Sequence, residues 1–164
     1  SSGSSGGAVS TVTQPGMTPD ELIHAFGADA LSAIHGTAGD EIVSYRGALD
    51  TVLVGWGGRD ILSGGSGSDL LIGGDGADKF VFDLRPLGPD SRDTIADLNF
   101  TAGDRVQILV DSGSIWLTSA DSILSAEASG EISLKTLANG GLEVNVTAEP
   151  GRILELHSSF DLLG

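Results

Sequence analysis

Between Gly55 and Asp83 the chain reads GWGGRDILSGGSGSDLLIGGDGADKFVFD. Aspartates stand at Asp60, Asp69 and Asp78, nine residues apart, and a large hydrophobe follows each by two places: Leu62, Leu71, Phe80. Glycines fill much of the five places before each acid. A helix repeats every 3.6 residues and a strand every two, so neither alone gives this period. A short strand plus a tight turn does, because glycines allow the positive φ that such a turn needs. Two units make one flat coil of two strands and two turns. The chain then returns to the same edge every 18 residues, about 4.8 Å further on, one strand spacing.

Aligned on the acid, five units follow: 36–44 (GTAGDEIVS), 45–53 (YRGALDTVL), 55–63 (GWGGRDILS), 64–72 (GGSGSDLLI) and 73–81 (GGDGADKFV), with Val54 as one inserted residue. The first has Glu41 in the acid place. The second keeps Asp50 and Val52 but has lost most glycines.

Acids 18 residues apart stack in this geometry. Two unscreened carboxylates about 4.8 Å apart repel by roughly 3–4 kcal/mol at an effective dielectric of about 20. A column of them needs a cation. Ca²⁺ bonds oxygen at about 2.3–2.6 Å, so ligands across one ion lie about 4.6–5.2 Å apart, which matches the coil spacing. Backbone carbonyls of the turns can complete the shell, and Mg²⁺ fits less well because it demands shorter, octahedral bonds.

The units resemble the RTX nonapeptide repeat, G-G-x-G-x-D-x-U-x with U a large hydrophobe. GGSGSDLLI and GGDGADKFV match every defined place, and GWGGRDILS misses one glycine, replaced by Trp56. The stretch ADKFVFD…DTIADLNFTAGDRVQI is similar to the segment that trails such repeats, with Leu98 where Phe is usual. Asp93, Asp97 and Asp104 are its matching acids. The expected fold is all-β: a right-handed parallel β-roll of Ca²⁺-binding repeats over residues 36–83, with a β-rich C-terminal cap over 84–164. A short helical cap is expected within 18–35, after a tag remnant and flexible lead-in at 1–17.

With the roll as a guide, one edge carries Glu41, Asp60 and Asp78 and the other Asp50 and Asp69. The expected ion pairs are Glu41 with Asp60, Asp50 with Asp69, and Asp60 with Asp78, giving about three ions. The middle pair is the one that Val54 and the glycine-poor second unit disturb. Carbonyl ligands are expected from Gly55, Gly57, Gly64, Ser66, Gly73 and Asp75. Asp93, Asp97 and Asp104 are candidates for a further ion, set against ordinary solvated acids at strand ends. The resemblance implies a monomeric, non-catalytic bacterial module exported through type I secretion machinery that folds on extracellular Ca²⁺. The alternatives are an accessory, substrate-touching module of a secreted protease, lipase or polysaccharide epimerase, or the terminal domain of a surface adhesin.

Flanking segments carry their own signals. Thr18, Pro19, Asp20 and Glu21 start a helix over about 19–26 with capping-box spacing, continuing past Gly27 towards Ile34. KFVFDL, DTIADL and DRVQILV read as strands, and TSADSILSAEASG as one short helix capped by Thr118 or Ser119. EISLKTLANGGLEVNV is a hairpin signal around Asn139-Gly140-Gly141, and GRILELHSS a last strand.

Composition narrows function. The chain has 23 acidic residues, 16 of them Asp, against 8 basic ones, a formal charge of −15. That balance opposes binding to nucleic acid or to an anionic membrane surface and suits multivalent cations. There is no cysteine, hence no disulfide or thiol chemistry. No G-K-[ST] follows the glycine runs, no EF-hand loop occurs, and outside the Ser/Gly run at 1–7 no G-x-S-x-G elbow is present. His24, His35 and His157 are too scattered for a zinc-ligand spacing.

Overall fold

The computed structural model describes residues 9–163 apart from 30–32, 46, 48 and 86–89. A three-residue strand, β1 (Ala33–His35), precedes the repeats, and others appear where the repeats place their hydrophobes: β2 (Ile42–Ser44), β3 (Val52–Val54), β4 (Ile61–Ser63) and β5 (Leu70–Ile72). β6 (Lys79–Asp83) and β7 (Ser91–Ile95) are longer. Successive strands alternate between two sheets, so β3 pairs in parallel with β5 (Val52 beside Leu70) and β4 with β6 (Ile61 beside Lys79). The predicted 18-residue return is present at both.

The all-β reading needs correction. The fold is mixed α/β: a seven-stranded and a five-stranded sheet, both rich in parallel pairs, with two helices, α1 (Pro19–Ala25) and α2 (Ala120–Ala128). It is not an all-β parallel β-roll closed by a separate cap. The remaining strands are β8 (Arg105–Val110), β9 (Gly113–Leu117), β10 (Ile132–Thr136), β11 (Leu142–Val146) and β12 (Arg152–Leu156). They extend the same two sheets, in the orders β1-β3-β5-β7-β12-β11-β10 and β2-β4-β6-β8-β9. β8–β9, β10–β11 and β11–β12 pair antiparallel. The longer linkers ahead of β7 and β8 let each enter the stack beyond the repeats, and the hairpins then reverse direction.

The register also moves the inserted residue. β1–β3 and β2–β4 partners are 19 residues apart (Ala33 beside Val52, Ile42 beside Ile61), whereas β3–β5 partners are 18 apart. The extra residue therefore lies in the turn between β2 and β3. Val54 is no insertion; it is the third residue of β3.

One core lies between the sheets, built from Val43, Leu53, Leu62, Leu71 and Phe80, with Leu53 in the place expected for Val52, and continued by Ile95, Val106 and Leu154. A second lies outside the larger sheet, where Leu22 and Ile23 of α1 cover Val52, Val54, Leu70 and Ile72. That explains why β3 and β5 are buried at all three positions while β4 buries only Leu62. Burying each of Leu22 and Ile23 contributes up to about 1.5–3 kcal/mol.

α1 starts as expected: Glu21 N donates to Thr18 Oγ1 at 3.2 Å and Thr18 N to Glu21 Oε1 at 2.9 Å. It does not continue to Ile34. Gly27, at φ 70, turns the chain away before β1. α2 is capped by Ser119, whose side chain accepts from Ser122 N. The lead-in at 9–17 is docked rather than loose. Ser10 N donates to Ser158 O at 2.9 Å, Thr11 N to Asn139 O at 2.7 Å, and Ser10 Oγ meets Nδ1 of fully buried His157 at 2.5 Å.

Two turn positions show why glycine recurs. Gly74 (φ 78) sits so close to the Trp56 carbonyl that no Cβ fits. Trp56 holds the equivalent place one coil earlier and has φ 69, the one non-glycine residue at positive φ among the described residues. Its indole donates to His35 Nδ1 at 2.8 Å and stacks on that ring.

Candidate metal centre

The acids form two columns along the strand edges, each tied to the next by a backbone hydrogen bond. In the first, Glu41 N donates to Asp60 Oδ1 (3.0 Å), Asp60 N to Asp78 Oδ1 (2.9 Å) and Asp78 N to Asp104 Oδ1 (2.8 Å). In the second, Thr51 N donates to Asp69 Oδ1 (3.0 Å) and Asp69 N to Asp93 Oδ1 (2.9 Å). Asp60, Asp69, Asp78, Asp93 and Asp104 are all buried.

One oxygen of each repeat aspartate is thereby used. The other, Oδ2 of Asp60, Asp69 and Asp78, is buried with no hydrogen-bond partner, and no other described side chain has such an orphaned atom. Leaving a buried polar atom unmatched costs about 1–3 kcal/mol, and more for a charge. Burial accordingly pushes Asp78 up to about 9, with Asp104, Asp60 and Asp97 adding repulsion. Burial also raises Asp69, helped by the facing Asp93, and raises Asp60, helped by Glu41 and Asp40.

Each orphaned oxygen faces the first glycine of its own unit. A Cβ on Gly55 would lie 2.5 Å from Asp60 Oδ2 and 2.8 Å from the Gly73 carbonyl oxygen. A Cβ on Gly73 would lie 2.5 Å from Asp78 Oδ2, and Gly64 stands equally tight against Asp69 Oδ2. The space a side chain would fill is lined by carboxylate oxygen at all three glycines, joined by a carbonyl oxygen at Gly55 and by Phe80 Cζ at Gly73. This hard-oxygen, acceptor-only donor set suits Ca²⁺ rather than a soft metal.

The other expected ligands divide. Asp93 and Asp104 join the columns. Asp104 Oδ2 is satisfied by Asn99 N at 2.9 Å, which ends the first column. Asp97 stands at a turn, accepting from Gly73 N (2.9 Å) and Gly74 N (2.8 Å), and burial raises its pKa to about 6. Glu41 turns back on Thr37, whose N and Oγ1 both donate to its carboxylate, so its pairing with Asp60 runs through its backbone N–H. Asp50 is not stacked on Asp69: the longer turn puts Thr51 in that place, and exposed Asp50 accepts from Ser68 N at 2.8 Å. Gly57 lies nearest Ala38, Ser66 Oγ reaches the Gly47 carbonyl at 3.5 Å, and exposed Asp75 donates its N–H to Trp56 O. Asp40, which the period gave no role, forms an outer rung by accepting from Arg59 N at 2.7 Å.

Among the described residues no group of three or more His, Cys, Asp or Glu side chains converges as a metal cluster. The donors here are single carboxylate oxygens beside backbone carbonyls. No described helix is long and apolar enough to cross a membrane. Fold and site together define a two-sheet repeat protein with buried, stacked carboxylates along both strand edges. No protein-family model matches the chain, and no curated protein matches it.

Proposed function

We propose that the chain is a non-catalytic calcium-binding module of the RTX type whose folding is coupled to the ion. One observation carries the reading: Oδ2 of Asp60, Asp69 and Asp78, all buried and all without a partner, recurs at the unit period. These oxygens, with the turn carbonyls of Gly55, Gly64 and Gly73, would hold Ca²⁺. Bound Ca²⁺ supplies the positive charge and the coordination that the columns lack. Without it the buried carboxyls lack a counter-charge: burial first, and the neighbouring acids second, raise Asp69 and Asp78. With it, binding free energy adds directly to folding free energy. The same coupling suits a chain exported unfolded through a type I channel from a calcium-poor cytosol and folded outside. Isothermal titration calorimetry of the metal-free protein tests the reading. Ca²⁺ binding with a large exothermic folding heat, not reproduced by Mg²⁺, is expected. No heat with Ca²⁺ at millimolar concentration would overturn it.

A further inference from the structure

The two sheets differ on their outer faces. α1 covers the larger sheet, while α2 turns Ile123 and Ala126 into the core between the sheets. Among the described residues no helix covers the outer face of the five-stranded sheet. Its outward positions alternate with core residues: Lys79 and Val81 on β6, Arg105 and Gln107 on β8, Ser114 and Trp116 on β9. The register sets Lys79 beside Arg105, one strand spacing of about 4.8 Å away. Like charges so close repel. Neither joins an ion pair among the described residues. Lys79 Nζ instead lies 5.5 Å from the ring centroid of Trp116, which is 41% exposed. Trp116 stands opposite Gln107, whose Nε2 donates to Ser114 Oγ at 3.2 Å. Beside the indole an open cavity of about 480 Å³ runs between β9 and α2. Its polar lining is four hydroxyls and one carboxylate: Ser114, Ser122, Ser125, Ser129 and Glu131. Its volume lies in the range of small-ligand sites.

A pair of exposed cations with no carboxylate of its own suits an anionic ligand, and a guanidinium can hold a carboxylate by two parallel hydrogen bonds. The chain's net charge of −15 repels a polymer charged at every short step, such as nucleic acid. A ligand with few charges, spaced by neutral polar groups, meets less of that repulsion. An indole offers a flat apolar surface to the C–H face of a sugar ring, and serine hydroxyls both donate to and accept from sugar hydroxyls. We propose that the outer face of β6, β8 and β9 binds an acidic, carboxylate-bearing saccharide. Lys79 and Arg105 hold its carboxylate, Trp116 carries a neighbouring ring, and the serines beside α2 take the hydroxyls. An acidic peptide is the competing occupant, but it would bring side chains that favour apolar pockets, where this cavity offers mainly hydroxyls. The site needs the folded sheet and does not rest on the calcium reading.

NMR titration of the full chain at fixed Ca²⁺ tests it, with a galacturonate trimer as the probe and a neutral glucose trimer and a glutamate trimer as controls. The galacturonate trimer should shift the Trp116 indole N–H and the β8 and β9 amides saturably. The neutral trimer should bind about tenfold more weakly or worse, and so should Lys79→Gln/Arg105→Gln with the acidic trimer. Trp116→Ala should weaken both saccharides. Lys135→Gln, an exposed cation of β10, should change nothing. The amide spectra of these surface variants show directly that the fold is kept. No saturable shift, a double variant that binds as tightly as the parent, or a glutamate trimer that binds as well as the galacturonate trimer would overturn the proposal. The last result would make the face an acidic-peptide site. Failure of the calcium reading shows separately, as a spectrum that Ca²⁺ leaves unchanged, and the titration still decides the saccharide site.

Discussion

The backbone N–H of Asp60 donates to Oδ1 of Asp78 at 2.9 Å, across 18 residues of sequence. The same aspartate that ties two coils together therefore leaves its second oxygen buried and unmatched. Cohesion and conflict come from one side chain. The hydrogen bond sets the register, and the unmatched oxygen is the group that the proposed cation would meet.

Asp78→Asn separates the two effects. The asparagine oxygen can still accept from Asp60 N, while the amide brings a donor and no charge. The metal-free protein should gain about 1–3 kcal/mol, and the stabilisation by Ca²⁺ should shrink. Urea denaturation in chelator and in Ca²⁺ measures both. A variant less stable than the parent in chelator would count against the orphaned-charge account.

Stability should depend on pH with a definite sign. The Asp78 carboxyl, ordinarily near 3.8, is raised to about 9, and burial lifts Asp104 to about 7. Between those limits the folded form holds more protons than the unfolded chain, so metal-free stability falls as pH rises from about 4 to about 9. Ca²⁺ needs ionised carboxylates, so its binding weakens towards acid. Denaturation midpoints of calcium-stripped protein should be higher at about pH 5 than at about pH 8. The reverse order would show that the columns are not the dominant titrating groups.

Gly74→Ala and Gly130→Ala form a matched pair. Both positions have positive φ (78 and 85), but Gly130 has open space where Gly74 meets the Trp56 carbonyl. Gly130→Ala should cost about 1–2 kcal/mol, the backbone term alone. Gly74→Ala must also push neighbouring coils apart and should cost clearly more, with a weaker Ca²⁺ response. Equal losses would mean that the coils are not in van der Waals contact at this turn.

Ser10→Ala tests the docked lead-in. Ser10 Oγ accepts from Val12 N (3.1 Å) and Thr13 N (3.2 Å), so its hydrogen is left to donate to His157 Nδ1. His157 Nε2 then faces Glu155 Oε1 at 2.7 Å as the protonated nitrogen. Losing the hydroxyl should cost about 1–3 kcal/mol in the calcium-saturated protein. A loss below about 0.5 kcal/mol, the level of an ordinary surface change, would show that residues 9–13 are not part of the folded unit.

The repeat block was legible because its signal is periodic and local. Asp60, Asp69 and Asp78 stand at fixed offsets from glycines and hydrophobes, and the structure stacks them on alternate edges as the spacing implies. The shift at Asp50 was not legible. Nothing in YRGALDTVLV marks which residue is extra, and only pairing of Val52 with Leu70 places it in the turn. A usable signal for α1 packing was present and overlooked: VLV and LLI are apolar at all three strand positions, whereas IVS, ILS and KFV are not. That alternation says one sheet is covered on both faces. The parallel pairing of β12 with β7 brings Arg152 to Ser91 across some sixty residues, which no local pattern encodes. The all-β expectation failed where propensity was read without its consequence. TSADSILSAEASG predicts one short capped helix, which α2 supplies, but the C-terminal block continues both sheets instead of forming a separate cap.

The most direct test of the central claim is far-UV circular dichroism during a Ca²⁺ titration of the metal-free protein, with Mg²⁺ as control and Asp60→Ala/Asp78→Ala as the altered chain. The account predicts a cooperative gain of β signal with Ca²⁺, little change with Mg²⁺, and a lost or much weakened transition in the altered chain. A spectrum fully folded in chelator and unmoved by Ca²⁺ would contradict it.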